Sequence, residues 1–223
     1  MGETMRVMLE TGPKGKRVVA VAPDWPGLER GAKTEEAAIE RLLAYVPRYA
    51  AAVKPAGLEA GPAHITGVDV VERYPGTGST DFWGISFGFS SFDKQAMSAE
   101  EMARELALMR ACWAFFDEVR GRVSAELRRG PRGGGRDRDR VARHVIANEL
   151  DWGKGLGLPA LDYEGLTDDG LKARREAYCD AIRARHAEGQ AARSWPLRYL
   201  IRHTAYHTLD HAWEMEDRDL TAE

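Results

Sequence analysis

The sequence predicts an α+β protein in which a small N-terminal α/β-sandwich-like module of order β-β-α-β-β precedes an antiparallel four-helix bundle. Three observations support this fold class. Short runs rich in β-branched residues occupy positions 6–10 and 17–21, an alternating apolar pattern occupies 81–90, and four stretches of helical periodicity follow. We therefore expect two domains, residues 1–95 and 96–223.

The N-terminal elements follow from local signals. A Gly/Pro/Lys cluster at residues 11–16 favours a hairpin between the first two strands, and two prolines with a glycine at 23–27 require a further turn. Thr34 fits the N-cap of a helix with an acidic first turn. Strands are expected at residues 65–74 and 81–90. One face of the latter would carry four apolar side chains, those of Trp83, Ile85, Phe87 and Phe89.

The C-terminal half has helical periodicity and recognisable helix starts. Ser98 and Glu101 form the capping-box pattern ahead of an amphipathic helix expected to continue to Gly130. Further helices are expected at residues 137–152, 168–187 and 194–217. Four amphipathic helices in succession are typical of a bundle.

Composition limits the classes of function. The 223 residues carry a formal net charge of -3, which gives no support to nucleic-acid binding. No apolar run approaches the roughly 18 residues of a transmembrane helix, and the N-terminus lacks a secretory signal pattern. We therefore expect a cytoplasmic protein without nucleic-acid or membrane partners. Cys112 and Cys179 are expected to be buried, reduced thiols, with a redox or nucleophilic cysteine as the alternative.

Three histidines of the last predicted helix, His203, His207 and His211, are spaced four residues apart. Side chains at this spacing are about 40° apart around a helix, so two imidazoles can converge on one ion. The apolar face is centred close to His211, which favours His207 and His211 as the buried pair and leaves His203 at the rim. His144, on the second of the four helices, is the expected third ligand.

A site of three histidines leaves a coordination position open, as catalytic metal sites do. Zinc is the favoured ion, with nickel or iron as alternatives. Asp210, Glu214 and Glu216 are candidates to orient an imidazole, although a solvated acidic face is the alternative. The histidines could instead be surface or hydrogen-bonded core residues, and this interpretation is favoured for His64 and His186.

The stretches RHVIANE at residues 143–149 and HTLDHAWE at residues 207–214 resemble the DinB superfamily of metal-binding four-helix bundles. That family has one histidine on its second helix and an HxxxH pair on its last, which correspond to His144, His207 and His211. The resemblance covers roughly residues 98–217, and the Gly-rich loop at 130–137 resembles one branch of the group. Many members continue with Arg-Gly-Gln after the last ligand, where this chain has AWE.

The N-terminal part is similar to the HicB-like antitoxin domain, a small β-β-α-β unit. The similarity lies in VVAVAPDWPG at residues 18–27, in Gly31 and in TEEA at residues 34–37. These residues also suit any fold with a strand, a tight turn and a capped helix. The resemblance does not identify residues for toxin binding.

Two hypotheses for function follow. The DinB-like resemblance implies a metal-dependent enzyme, a thiol-dependent S-transferase or a related transferase or hydrolase, with a small-molecule substrate or a low-molecular-weight thiol. Its catalytic residues are unknown; Arg132 and Arg136 could attract an anion, and Tyr206 and Glu149 are candidate bases. The alternative is a non-catalytic, metal-stabilised binding protein whose N-terminal module recognises a partner or ligand. A homodimer would be ordinary for such bundles.

Overall fold

The computed structural model describes residues 3–57, 62–130, 135–193 and 195–221. The fold is α+β: a four-stranded sheet in the N-terminal part is followed by helices. The chain divides into two compact units. The N-terminal unit comprises Met1–Cys112 and Ile201–Tyr206, and the C-terminal unit comprises Trp113–Leu200 and His207–Glu223.

The sheet belongs to the N-terminal unit. Its strands are β1 (Glu3–Thr11), β2 (Val18–Val21), β3 (Glu29–Ala32) and β4 (Ile65–Pro75), in the order β3-β2-β1-β4. The expected hairpin between β1 and β2 and the expected strand β4 are confirmed. β4 pairs with β1 in parallel, whereas the other two pairs are antiparallel. Strand β3 was missed, because ERGA lacks the β-branched residues that marked the others.

Helix α1 (Glu35–Val53) connects β3 to β4 and packs against β2 and β3. The predicted cap is confirmed, since the backbone amide of Ala37 donates to Oγ1 of Thr34 at 3.2 Å. The buried Tyr49 hydroxyl donates to the carbonyl oxygen of Pro26 at 2.8 Å, which ties this helix to the predicted 23–27 turn.

The predicted strand at residues 81–90 was wrong. Helix α2 (Gly78–Trp83) begins before it, and Gly84 ends that helix in the left-handed conformation, at φ 71°. The side chain of Trp83 is 66% exposed. The amides of Phe87 and Gly88 donate to the buried carboxylate of Glu10, each at 3.0 Å, instead of to a neighbouring strand. Alternating apolar residues therefore line a loop held by a buried side chain.

The N-terminal unit is further held by a buried guanidinium. Arg202 donates to both carboxylate oxygens of Asp93, at 2.7 and 2.8 Å, and to Glu29 at 3.1 Å. It also donates to the hydroxyl of Ser86 at 3.0 Å and to the carbonyl of Gly88 at 3.3 Å. Five acceptors around one buried cation compensate its lost hydration and fix the loop that follows α2.

Four longer helices follow. They are α3 (Ala99–Arg122), α4 (Arg138–Gly155), α5 (Asp168–Ala187) and α6 (Leu197–Glu216). The capping box of α3 is confirmed: Ser98 Oγ accepts from the amide of Glu101 at 3.1 Å, and Glu101 accepts from the amide of Ser98 at 2.7 Å. None of the helices in the described ranges is long and apolar enough to cross a membrane.

Helix α3 ends at Arg122 and not near Gly130 as expected. The chain after it makes hydrogen bonds with the end of α6: the amide of Ser124 donates to Asp219 at 2.9 Å, and that of Arg128 donates to the carbonyl of Arg218 at 2.7 Å. These bonds replace those of a continuing helix. Val123 and Leu127 remain buried, which explains why the apolar pattern continued past the helix end.

The core of the C-terminal unit is apolar. Its buried cluster includes Phe116, Val119, Val145, Ala212 and Met215. Cys112 and Cys179 are buried and form no disulfide, as predicted. Burial raises the pKa of the Cys112 thiol well above its ordinary value, which keeps it protonated and unreactive.

Candidate metal centre

The structure brings His144, His207 and His211 together within the C-terminal unit. One ligand nitrogen from each imidazole lies within 4.8 Å of the other two, and Nε2 of His144 is 3.1 Å from Nε2 of His207. All three side chains are half-buried. This group could hold a metal ion.

Apolar neighbours of the three histidines fix their helices in this register. Val141 and Val145 flank His144 on α4, and Ala212 and Met215 follow the histidine pair on α6; all four pack in one buried cluster. Because residues three and four apart share a helix face, burial of these neighbours turns the histidines toward one another.

Burial and nearby positive charge keep His144 neutral. They lower its pKa to about 4: burial is the largest cause, followed by His211 and Arg136. The neutral imidazole is the form that binds a metal ion.

Glu214 contacts the third histidine. Its Oε2 lies 2.7 Å from Nδ1 of His211, one turn earlier on α6. Two guanidinium groups hold the same carboxylate: Nη2 of Arg136 is 3.1 Å from Oε2, and Nη1 of Arg218 is 3.1 Å from Oε1. Burial alone would raise the pKa of Glu214, but the hydrogen bond to His211 and these charges lower it to about 2. An ionised Glu214 therefore occupies Nδ1 of His211 and leaves Nε2 for an ion.

Aromatic rings lie beside His207. The ring of Trp152 meets that of His207 edge-on, with centroids 5.2 Å apart. Trp195 lies 6.0 Å from Trp152, and Tyr199 lies 5.0 Å from Trp195. We did not predict these aromatic residues as part of the site. The signal was present, since Trp152 is two helical turns after His144 and so shares its face of α4.

We expected His203 to lie at the rim of the buried face, and this prediction was wrong. The residue is 3% exposed and counts with the N-terminal unit, where its ring lies 5.4 Å from that of Phe87. Burial, followed by the charge of Arg202, lowers its pKa to about 3. His203 is a neutral core residue.

The other candidates have different surroundings. Glu149 is buried in a bidentate ion pair with Arg175: Nε and Nη2 of the arginine donate to the two carboxylate oxygens at 2.8 and 2.9 Å. A carboxylate held in this way does not suit a catalytic base. Tyr206 is buried in the N-terminal unit, 6.0 Å from Arg30. Glu216 pairs with Arg122. Arg132 lies outside the described residues.

Comparisons with protein-family models, curated proteins and solved structures found no match to this chain. The DinB-like and HicB-like resemblances therefore stay predictions that rest on the residues quoted above.

Proposed function

We propose that this chain is a metal-dependent enzyme that holds one divalent transition-metal ion on His144, His207 and His211, with α3 to α6 arranged as a DinB-like antiparallel four-helix bundle. The observation that carries the proposal is the convergence of three imidazole nitrogens within 4.8 Å. Two nitrogens bound to zinc at about 2.05 Å with tetrahedral geometry lie about 3.3 Å apart. The 3.1 Å between the Nε2 atoms of His144 and His207 is close to that spacing.

Zinc is the favoured ion because three neutral nitrogen donors suit a tetrahedral site, and nickel or iron are the alternatives. A bound ion would supply Lewis acidity that lowers the pKa of a coordinated thiol or water. The chain itself contributes an oriented His211, through Glu214, and positive charge from Arg136 and Arg218 beside the ligands. Such a site suits a thiol-dependent S-transferase, or a related transferase or hydrolase.

The second candidate function is a binding protein in which the metal stabilises the bundle and a HicB-like N-terminal module recognises a partner. One observation favours it. Phe82 and Trp83 are 71% and 66% exposed and pack edge-on against each other, with centroids 4.5 Å apart. Adjacent exposed aromatic rings are typical of recognition surfaces.

Metal analysis tests the proposal. Mass spectrometry on tag-free protein should find about one equivalent of zinc, nickel or iron in the wild type and in His64→Ala, whose histidine is exposed and outside the group. His207→Ala should lose the metal. If the wild type carries none and takes up none on titration, the metal site is refuted.

Enzymatic function needs a further measurement. Consumption of a low-molecular-weight thiol with 1-chloro-2,4-dinitrobenzene should depend on metal and disappear in His207→Ala. A metal-loaded protein that is inactive with a broad panel of thiols and electrophiles, but whose partner capture is lost on Trp83→Ser, would favour the binding function instead.

A further inference from the structure

The surroundings of the three histidines differ sharply between their two sides. The ring of Trp152 lies beside His207 and that of Trp195 lies against Trp152; both tryptophans are half-buried and therefore accessible in part. Beside His211 lie Arg136 and Arg218, which share the single carboxylate of Glu214. One end of the site is thus aromatic and the other is cationic.

The charges at the cationic end do not cancel. Two guanidinium groups contact one carboxylate, and a divalent ion on neutral histidines would add two further positive charges. Among the described residues, the contacts of Arg136 to Glu214 and to His211 both use Nη2. Its Nε and Nη1 groups can then donate to a further anion, and its side chain is 36% exposed.

The aromatic end is rigidly supported. Tyr199 is 1% exposed and meets Trp195 edge-on, and Trp195 in turn lies against Trp152. Trp152 is not a core residue alone, because it remains partly exposed while contacting His207. A flat ring placed against Trp152 would gain stacking or edge-to-face contact and shed water.

We propose that the site binds small aromatic acids, with the carboxylate at the open metal position near Arg136 and the ring against Trp152. This inference rests on the proposed metal site and names its ligand class. A carboxylate alone would use only one end of the site, and a neutral aromatic molecule only the other. A molecule that carries both groups can use both ends.

The test is a binding titration on full-length protein loaded with cobalt(II), whose visible absorption responds to added ligands. Benzoate should bind about 10-fold more tightly than acetate, and more tightly than benzyl alcohol. Trp152→Leu should weaken benzoate binding about 3- to 10-fold and leave acetate unchanged. Arg136→Gln should weaken both carboxylates. Trp25→Leu is the matched control, since this tryptophan is also half-buried but packs against Tyr49, and it should change neither affinity.

The outcomes separate the two proposals. If the protein binds no cobalt, both the metal site and the ligand class are overturned. If it binds cobalt but benzoate and acetate bind equally, or Trp152→Leu weakens both to the same degree, the ligand class is overturned and the metal site stands.

Discussion

Oε2 of Glu214 lies 2.7 Å from Nδ1 of His211, three residues apart on α6, and Arg136 and Arg218 hold the carboxylate in place. This contact determines which imidazole nitrogen is left for a metal ion. Replacement of Glu214 should therefore change the metal affinity of the site although Glu214 is not itself a proposed ligand.

Glu214→Gln should lower metal affinity about 10- to 100-fold, because an amide orients and polarises the imidazole less than a carboxylate does. Competition for zinc against a chromogenic chelator measures the change. Glu216→Gln is the matched control, since that residue is on the same helix but pairs with Arg122. Equal losses in the two variants would mean that general charge, and not the contact with His211, sets the affinity.

The grouping of His144, His207 and His211 could be predicted from sequence because it depends on helical periodicity. His207 and His211 share a helix face at any packing angle, and Val141 and Val145 marked the buried side of His144. The same reasoning placed His203 poorly. It assumed one buried face along the whole of α6. Residues 201–206 instead belong to the N-terminal unit, and all six of them are buried, so this part of the helix has no exposed face.

The loop after α2 could not be predicted for a different reason. Its alternation of apolar residues is the pattern of a half-buried strand. The segment forms a loop instead because its amides donate to a buried acceptor that is far away in sequence. Glu10 bonds the amides of Phe87 and Gly88, which are 77 and 78 residues later. The local alternation of apolar and polar residues contains no information about such a distant hydrogen-bond partner.

Removal of the buried guanidinium should be strongly destabilising. Arg202→Met should lower the free energy of unfolding by about 3–5 kcal/mol, because Asp93 and Glu29 would be left buried without their cation. Urea denaturation provides the measurement. Arg73→Met serves as the control: Arg73 is 60% exposed and pairs with Glu35, so we expect a loss of at most about 1 kcal/mol. Similar losses in the two variants would contradict the compensation argument.

His203 should contribute to acid sensitivity. Its pKa is about 3 when folded and about 6.5 when unfolded, so the unfolded chain binds the extra proton between these values. The contribution to stability is therefore complete above pH 6.5 and is lost as the pH falls toward 3. Between pH 7 and pH 5 the loss amounts to about 2 kcal/mol.

The measurement for His203 is urea unfolding of wild type and His203→Gln at both pH values. The drop in unfolding free energy from pH 7 to pH 5 should be smaller in the variant by about 2 kcal/mol. Burial raises the pKa of Glu29, which acts in the opposite direction, but this effect is common to both proteins and cancels in the comparison. An unchanged pH dependence would show that His203 takes up a proton in the folded protein as readily as in the unfolded chain, and so would contradict the lowered pKa.

Two glycines should respond oppositely to alanine. A Cβ at Gly31, on β3, would lie 2.0 Å from the carbonyl oxygen of Gly84, so the backbone would have to move. We expect Gly31→Ala to lose about 1–3 kcal/mol of unfolding free energy. A Cβ at Gly121, the residue before the last one of α3, meets nothing within 4 Å, and Gly121→Ala should gain at most about 0.5 kcal/mol from helix propensity, since the full difference applies to helix interiors. Thermal and urea unfolding measure both changes. Tolerance of alanine at Gly31 would mean that β3 and the turn at Gly84 do not approach each other this closely.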